Sequence, residues 1–222
     1  RWGRGGQFAE DAPAIPQSSG LSALLAARAA IATREFAVAE SLLSRADASV
    51  PSLVVPRLML EAEMKLEQGQ PLEALGVLSA LRKEAGSHTA ALRLELRALQ
   101  GVGRYAEIPP LVDQLVKRKV YGVREGEFVR AAAHAQELNA RMLDGEGLRA
   151  YWSKLSETEQ RNPKIARAAA RSFIALGGDR EAAELLTKSL EREWNSELVE
   201  LYAECRPADT APQLEQAERW LT

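Results

Sequence analysis

The sequence predicts an all-α protein, a right-handed solenoid of stacked antiparallel helix pairs. Three observations carry that expectation. Ala, Leu, Glu and Arg recur throughout while aromatic residues make up only 5% of the 222 residues, a helical composition. Strand signals are missing: there is no sustained period-2 alternation and no Asn-Gly or Asp-Gly hairpin turn. Above all, a pattern of 34–35 residues returns along the chain, which marks a stacked-repeat architecture.

The elements follow in order. Residues 1–19, with Gly5-Gly6, Pro13, Pro16 and Ser18-Ser19, read as an irregular segment. Gly6 and Phe8 within it look like the remnant turn of a preceding repeat. An array of about five to six helix pairs then fills 20–222, beginning with repeats at 20–53, 54–88 and 89–122. Arg34-Glu35-Phe36, Gly69-Gln70-Pro71 and Gly103-Arg104-Tyr105 align as their internal turns. Before each turn stands a small or apolar residue: Ala27, Ala62, Leu96. After it come Ala39/Ala74/Ile108, Leu43/Leu78/Val112 and Ala46/Leu81/Leu115, the apolar stripe of a second helix. The fourth unit is weaker, with Ala131 to Met142 as first helix, Gly145 at the turn, and Leu148, Tyr151, Trp152 and Leu155 beyond it. The fifth runs from Pro163 through Gly177-Gly178 to Glu193; Ser196–Glu204 and Gln213–Leu221 make the sixth. Glycine just past a helix end can take the left-handed conformation that terminates it, and proline is tolerated where a helix begins. No Gly/Ser linker interrupts the series, so one continuous array is expected.

A glycine at the turn, an aromatic two residues later, an alanine three beyond and a proline at the repeat end resemble the tetratricopeptide repeat. Longer passages resemble the HemY-type tetratricopeptide proteins of bacterial haem biosynthesis: Leu24 to Ala30, Ala175 to Ala182, Glu193 to Tyr202, and Gln213 to Leu221. That resemblance implies a non-enzymatic scaffold at the bacterial inner membrane that organises late haem-pathway enzymes. It also implies that two membrane helices precede the repeats, and that this chain is the soluble region on the cytoplasmic side. The family supplies no catalytic motif. The chain begins at Arg1, shows no signal peptide, and has no apolar run of the ~20 residues that a membrane-spanning helix needs.

Composition narrows the chemistry further. With 29 Lys+Arg against 31 Asp+Glu the net charge is −2, which weighs against an RNA-binding solenoid, since phosphate neutralisation needs a basic excess. One cysteine and two histidines exclude a multi-cysteine metal site and make a classical zinc site implausible. No phosphate loop, Gly-x-Ser-x-Gly, His-Glu-x-x-His or Cys-x-x-Cys is present. No catalytic residue, metal ligand or cofactor is therefore expected. His88 reads as a solvated loop residue, His134 as a helix-packing one, and Cys205 as a buried small apolar one. Trp152, Trp194 and Trp220 are expected to pack between helices, and the carboxylates to sit on solvated faces. Direct haem or porphyrin binding is the alternative that the two histidines leave open.

Mapped onto the first helices, which line the groove of a tetratricopeptide array, Arg28, Arg93, Arg97, Arg167 and Arg171 fall on the groove side together with Glu63. Arg93/Arg97 and Arg167/Arg171 are four apart, so each pair shares a helix face. The planar guanidinium fork suits carboxylates or phosphates. Either these arginines hold a protein partner, or they bridge carboxylates of adjacent helices.

Overall fold

The computed structural model describes residues 16–46 and 51–221. Among them every regular element is helical, and the chain divides into two compact units, Arg1–Val102 and Gly103–Thr222. The proposed remnant turn at Gly6 and Phe8 lies outside the described residues.

The first unit holds α1 (Pro16–Ala32), α2 (Phe36–Arg45), α3 (Pro51–Glu67), α4 (Pro71–Ala85) and α5 (Thr89–Val102). Each helix packs on the next in sequence, and α1, α3 and α5 also pack on one another in series. Pro16 opens α1, so residues 16–19 belong to a helix and not to an irregular lead. A proline in the first turn loses no intrahelical bond, because its N–H would have had no partner there.

The second unit begins with a short 3-10 helix (Tyr105–Glu107) and continues with α6 (Ile108–Lys117), α7 (Val123–Ala140), α8 (Gly145–Trp152) and α9 (Glu157–Gln160). After these come α10 (Pro163–Ala175), α11 (Asp179–Leu190), α12 (Ser196–Glu204) and α13 (Ala211–Leu221). Pro109 and Pro110 stand in the first turn of α6, where a missing N–H breaks no intrahelical bond, and the residues just before Ile108 wind as 3-10. α7 packs on α6 and on α10, and α10 packs on α11 and α12. Gly126 sets how closely α6 and α7 approach: a Cβ there would lie 2.4 Å from Val116 Cγ2. The second helix expected to carry Leu148, Tyr151, Trp152 and Leu155 beyond Gly145 stops at Trp152, and a separate α9 follows. Asp144 caps α8 by accepting from the Gly147 amide (2.9 Å), so Gly145 starts a helix and does not end one. Ser156 then restarts the chain as α9, through a reciprocal capping box with Glu159.

A left-handed residue recurs at the ends of several helices. Arg34, Gly69, Gly103 and Gly177 all adopt φ between 61° and 73°. At three of them the chain closes the same Schellman motif. The amides of Arg34, Gly69 and Gly177 bond the carbonyls of Ile31, Leu66 and Ile174 (2.9–3.1 Å). The next amides, of Glu35, Gln70 and Gly178, bond Ala30, Lys65 and Phe173 (2.8 Å). The backbone position therefore repeats even where arginine replaces glycine. All twelve stripe residues named before and after the first three turns are buried, none more than 5% exposed. Ala27, Ala39, Ala62 and Ala74 are fully buried, which brings the helix axes close. Buried apolar area of this kind stabilises by about 25 cal/mol per Å².

Candidate functional site

The expected groove residues divide into bridged and unbridged. In the first unit Arg97 of α5 donates to Glu67 of α3 (2.9 Å). In the second, Arg167 of α10 donates to Glu197 of α12. Both pairs join two packed helices across 30 residues of sequence, so these two arginines bridge carboxylates of adjacent helices, the second of the two expectations. Glu63 is half-buried and makes no ion pair with a described residue; the carboxylate that meets an arginine is Glu67, one turn further on. Arg28, Arg93 and Arg171 are exposed, and none forms an ion pair with a described residue. Arg93 and Arg171 are thus the members of each pair left to meet something else.

A buried polar knot lies between α7, α8 and α9. His134 is 5% exposed, and its Nδ1 lies 2.9 Å from the Tyr151 hydroxyl. Its Nε2 lies 3.3 Å from Glu159 Oε1, poorly aligned for a hydrogen bond. The tautomer protonated on Nε2 fits both contacts: Nδ1 accepts from Tyr151 and Nε2–H faces the carboxylate. Burial holds the imidazole below its usual pKa, against the pull of Glu159. Burial pushes the Tyr151 hydroxyl up to about 12, helped by Glu137. Burial alone would raise Glu159, but the hydroxyl and amide of Ser156, with His134, outweigh it and the net shift is downward. Next to this knot, Glu137 is 8% exposed; it accepts from Arg141 (2.7 Å) and from the Ala106 amide at the 3-10 helix (3.1 Å). Arg141 also lies over the Tyr151 ring, 5.3 Å from its centroid.

His134 is therefore the packing histidine that was expected, held in a specific clasp that spacing did not reveal. The signal available was Ser156-Glu157-Thr158-Glu159, a capping-box pattern that announces α9. Glu137 departs from the expectation of solvated carboxylates. Its burial is tolerable because charge-assisted bonds from Arg141 and a backbone amide compensate it. His88 lies exposed in the loop before α5.

Two further buried hydroxyls staple helices. Ser172 donates to the Leu138 carbonyl (3.2 Å) and Ser189 to that of Arg161 (3.1 Å). The Arg161 carbonyl stands just past the end of α9, and that of Leu138 lies in the last turn of α7, where it also accepts from the Arg141 amide (3.2 Å). Cys205 is 3% exposed, its thiol directed to the Leu201 carbonyl (3.5 Å), and burial raises its pKa to about 11.

The C-terminal helices form an apolar corner. Trp194, Val199, Tyr202, Leu214, Ala217 and Trp220 are among the residues around an open cleft of about 650 Å³ between α12 and α13. Trp194 meets Trp220 edge-on (5.8 Å, 83°), and Trp220 meets Tyr202 at 4.9 Å. Trp152 and Trp220 are half-buried against the core, as expected, but Trp194 is 57% exposed and Leu214 63%.

Among the described residues no group of three or more His, Cys, Asp or Glu could hold a metal ion, and no helix is long and apolar enough to cross a membrane. No protein-family model matches the chain, and no curated protein matches it.

Proposed function

We propose that the chain is a non-enzymatic tetratricopeptide-type scaffold that binds protein segments. Recurrence of one backbone conformation at Arg34, Gly69 and Gly103, with the same buried stripe around each, is the observation that carries the proposal. Repeats of this kind cannot bury their faces alone, and stacking leaves a row of first helices available for recognition. The right-handed superhelix belongs to the same proposal. So does the HemY-type assignment, which rests on the resembling passages, Ala175 to Ala182 and Glu193 to Tyr202 among them. It gives the scaffold its setting: late haem-biosynthesis enzymes at a bacterial inner membrane.

In this setting Arg93 and Arg171 engage the partner, while Arg97 and Arg167 brace neighbouring first helices. The test immobilises the chain, exposes it to detergent-solubilised extract of a haem-synthesising bacterium, and identifies what is retained. Enrichment of late tetrapyrrole enzymes that is lost on Arg93→Ala with Arg171→Ala, at unchanged melting temperature, is expected. Retention of no haem-pathway enzyme would refute the haem assignment. Retention indifferent to both arginines would refute the groove.

A further inference from the structure

We propose that the aromatic corner between α12 and α13 is a second docking site, for a basic amphipathic segment of a partner protein. Two independent observations combine. The first is shape: Trp194 meets Trp220 edge-on, Trp220 meets Tyr202 at 65°, and the exposed Leu214 lines the same cleft. Trp194 and Trp220, partly exposed and backed by the buried Tyr202, are aromatic anchors of the kind that dominate the energy of protein interfaces.

The second is charge. Four residues around the cleft are each followed by a glutamate: Val199-Glu200, Ala203-Glu204, Leu214-Glu215 and Ala217-Glu218. One step along a helix is about 100° around it, so these carboxylates flank the apolar strip and do not enter it. All four are exposed, and Glu193 precedes Trp194 in the same state. Residues 191–220 hold eight carboxylates against three arginines, a net −5, whereas the whole chain carries only −2. An acid-rimmed apolar strip complements leucines at helical spacing flanked by Lys or Arg. The exposed indole of Trp194 can also take a cation on its face. A second copy of this face is disfavoured, since it would set the exposed Glu193, Glu200, Glu204 and Glu218 against their own copies. The site uses none of the groove arginines, so it stands or falls apart from them.

The test uses two synthetic amphipathic helices with leucines at i, i+3, i+4 and i+7, one carrying lysines at its polar positions and the other glutamates. Binding is read by calorimetry and by the tryptophan emission shift. The lysine peptide should bind at least about tenfold tighter than the glutamate peptide, with the gap narrowing at high salt. Leu214→Asp should weaken it by a similar factor, and Glu200→Gln with Glu218→Gln should weaken it without touching the apolar strip. Arg93→Ala with Arg171→Ala should leave it unchanged. Equal binding of the two peptides, or binding of neither, overturns the proposal. So does a wild-type dimer in sedimentation that Leu214→Asp converts to monomer, which would assign the corner to a second copy.

Discussion

Replacing glycine by alanine at the repeat turns isolates one physical quantity, the cost of a left-handed backbone to an L-residue. Gly69 and Gly177 both sit at φ 73°, and a Cβ built at either would meet no heavy atom within 4 Å. Steric clash therefore contributes nothing, and only the conformational term remains. That term is about 1–2 kcal/mol, offset by the ~0.4–1 kcal/mol that alanine gains from a less flexible unfolded chain. Gly69→Ala and Gly177→Ala should each destabilise by about 1 kcal/mol. Arg34, held at φ 61°, already bears this cost, so Arg34→Gly should stabilise by about 0.5 kcal/mol or more. Gly76 provides the control: it lies within α4, equally free of contacts. There the same change to alanine should stabilise, by about 0.5–1 kcal/mol. Urea titration followed by circular dichroism measures each shift. Hydrogen exchange, resolved by segment, assigns it to the unit containing α1–α5 or to the one containing α6–α13, since the two need not unfold together. A neutral Gly69→Ala, or Gly76→Ala as harmful as Gly69→Ala, would show that the turn conformation is not what the substitution perturbs.

Three more outcomes are expected. Cys205, buried and with its pKa raised to about 11, should resist a thiol reagent at pH 8 in the native protein and react only on unfolding; immediate labelling would contradict its burial. Glu137→Ala should destabilise the second unit by about 1–3 kcal/mol, since it strands the Ala106 amide and half-buried Arg141, and a denaturation midpoint equal to wild type would remove Glu137 from the core. Stability of the second unit should fall on acidification. His134, held below its unfolded value of 6.5, contributes fully above that pH and loses its contribution as pH falls through the folded pKa. Glu159, held below 4.5, adds a further loss below that value. His134→Gln should flatten the slope just below pH 6.5, and an unchanged slope would exclude His134 as its source.

Much of the helix plan was legible because it is written in local and periodic terms. The buried stripe at Ala39, Ala74 and Ile108 follows from one helix face meeting another at each repeat, and spacing alone reveals it. The left-handed turn at Gly69 is legible for the same reason, since the residue type reports the backbone. Arg34 is not: its side chain gives no hint of positive φ, and only alignment with Gly69 and Gly103 suggests it. The break between α8 and α9 was written locally, in the Ser156–Glu159 box, yet the repeat plan set Leu148 to Leu155 on a single second helix.

Residue order sufficed for the helical class and for the apolar residues that form the core, because burial follows from periodicity. It sufficed also for the burial of Cys205 and His134. The polar partnerships are a tertiary matter. Nothing in spacing tells that Arg97 reaches Glu67 and not Glu63, that Arg167 reaches Glu197, or that His134 is clasped by Tyr151 and Glu159. These depend on which turns of neighbouring helices lie opposite one another. Such approaches turn on packing details: at Gly126 against Val116 a single added methyl group would change how α6 and α7 meet. The exposure of Trp194 has the same origin: an indole is apolar anywhere in a sequence, and only the placement of α12 and α13 leaves this one facing outward.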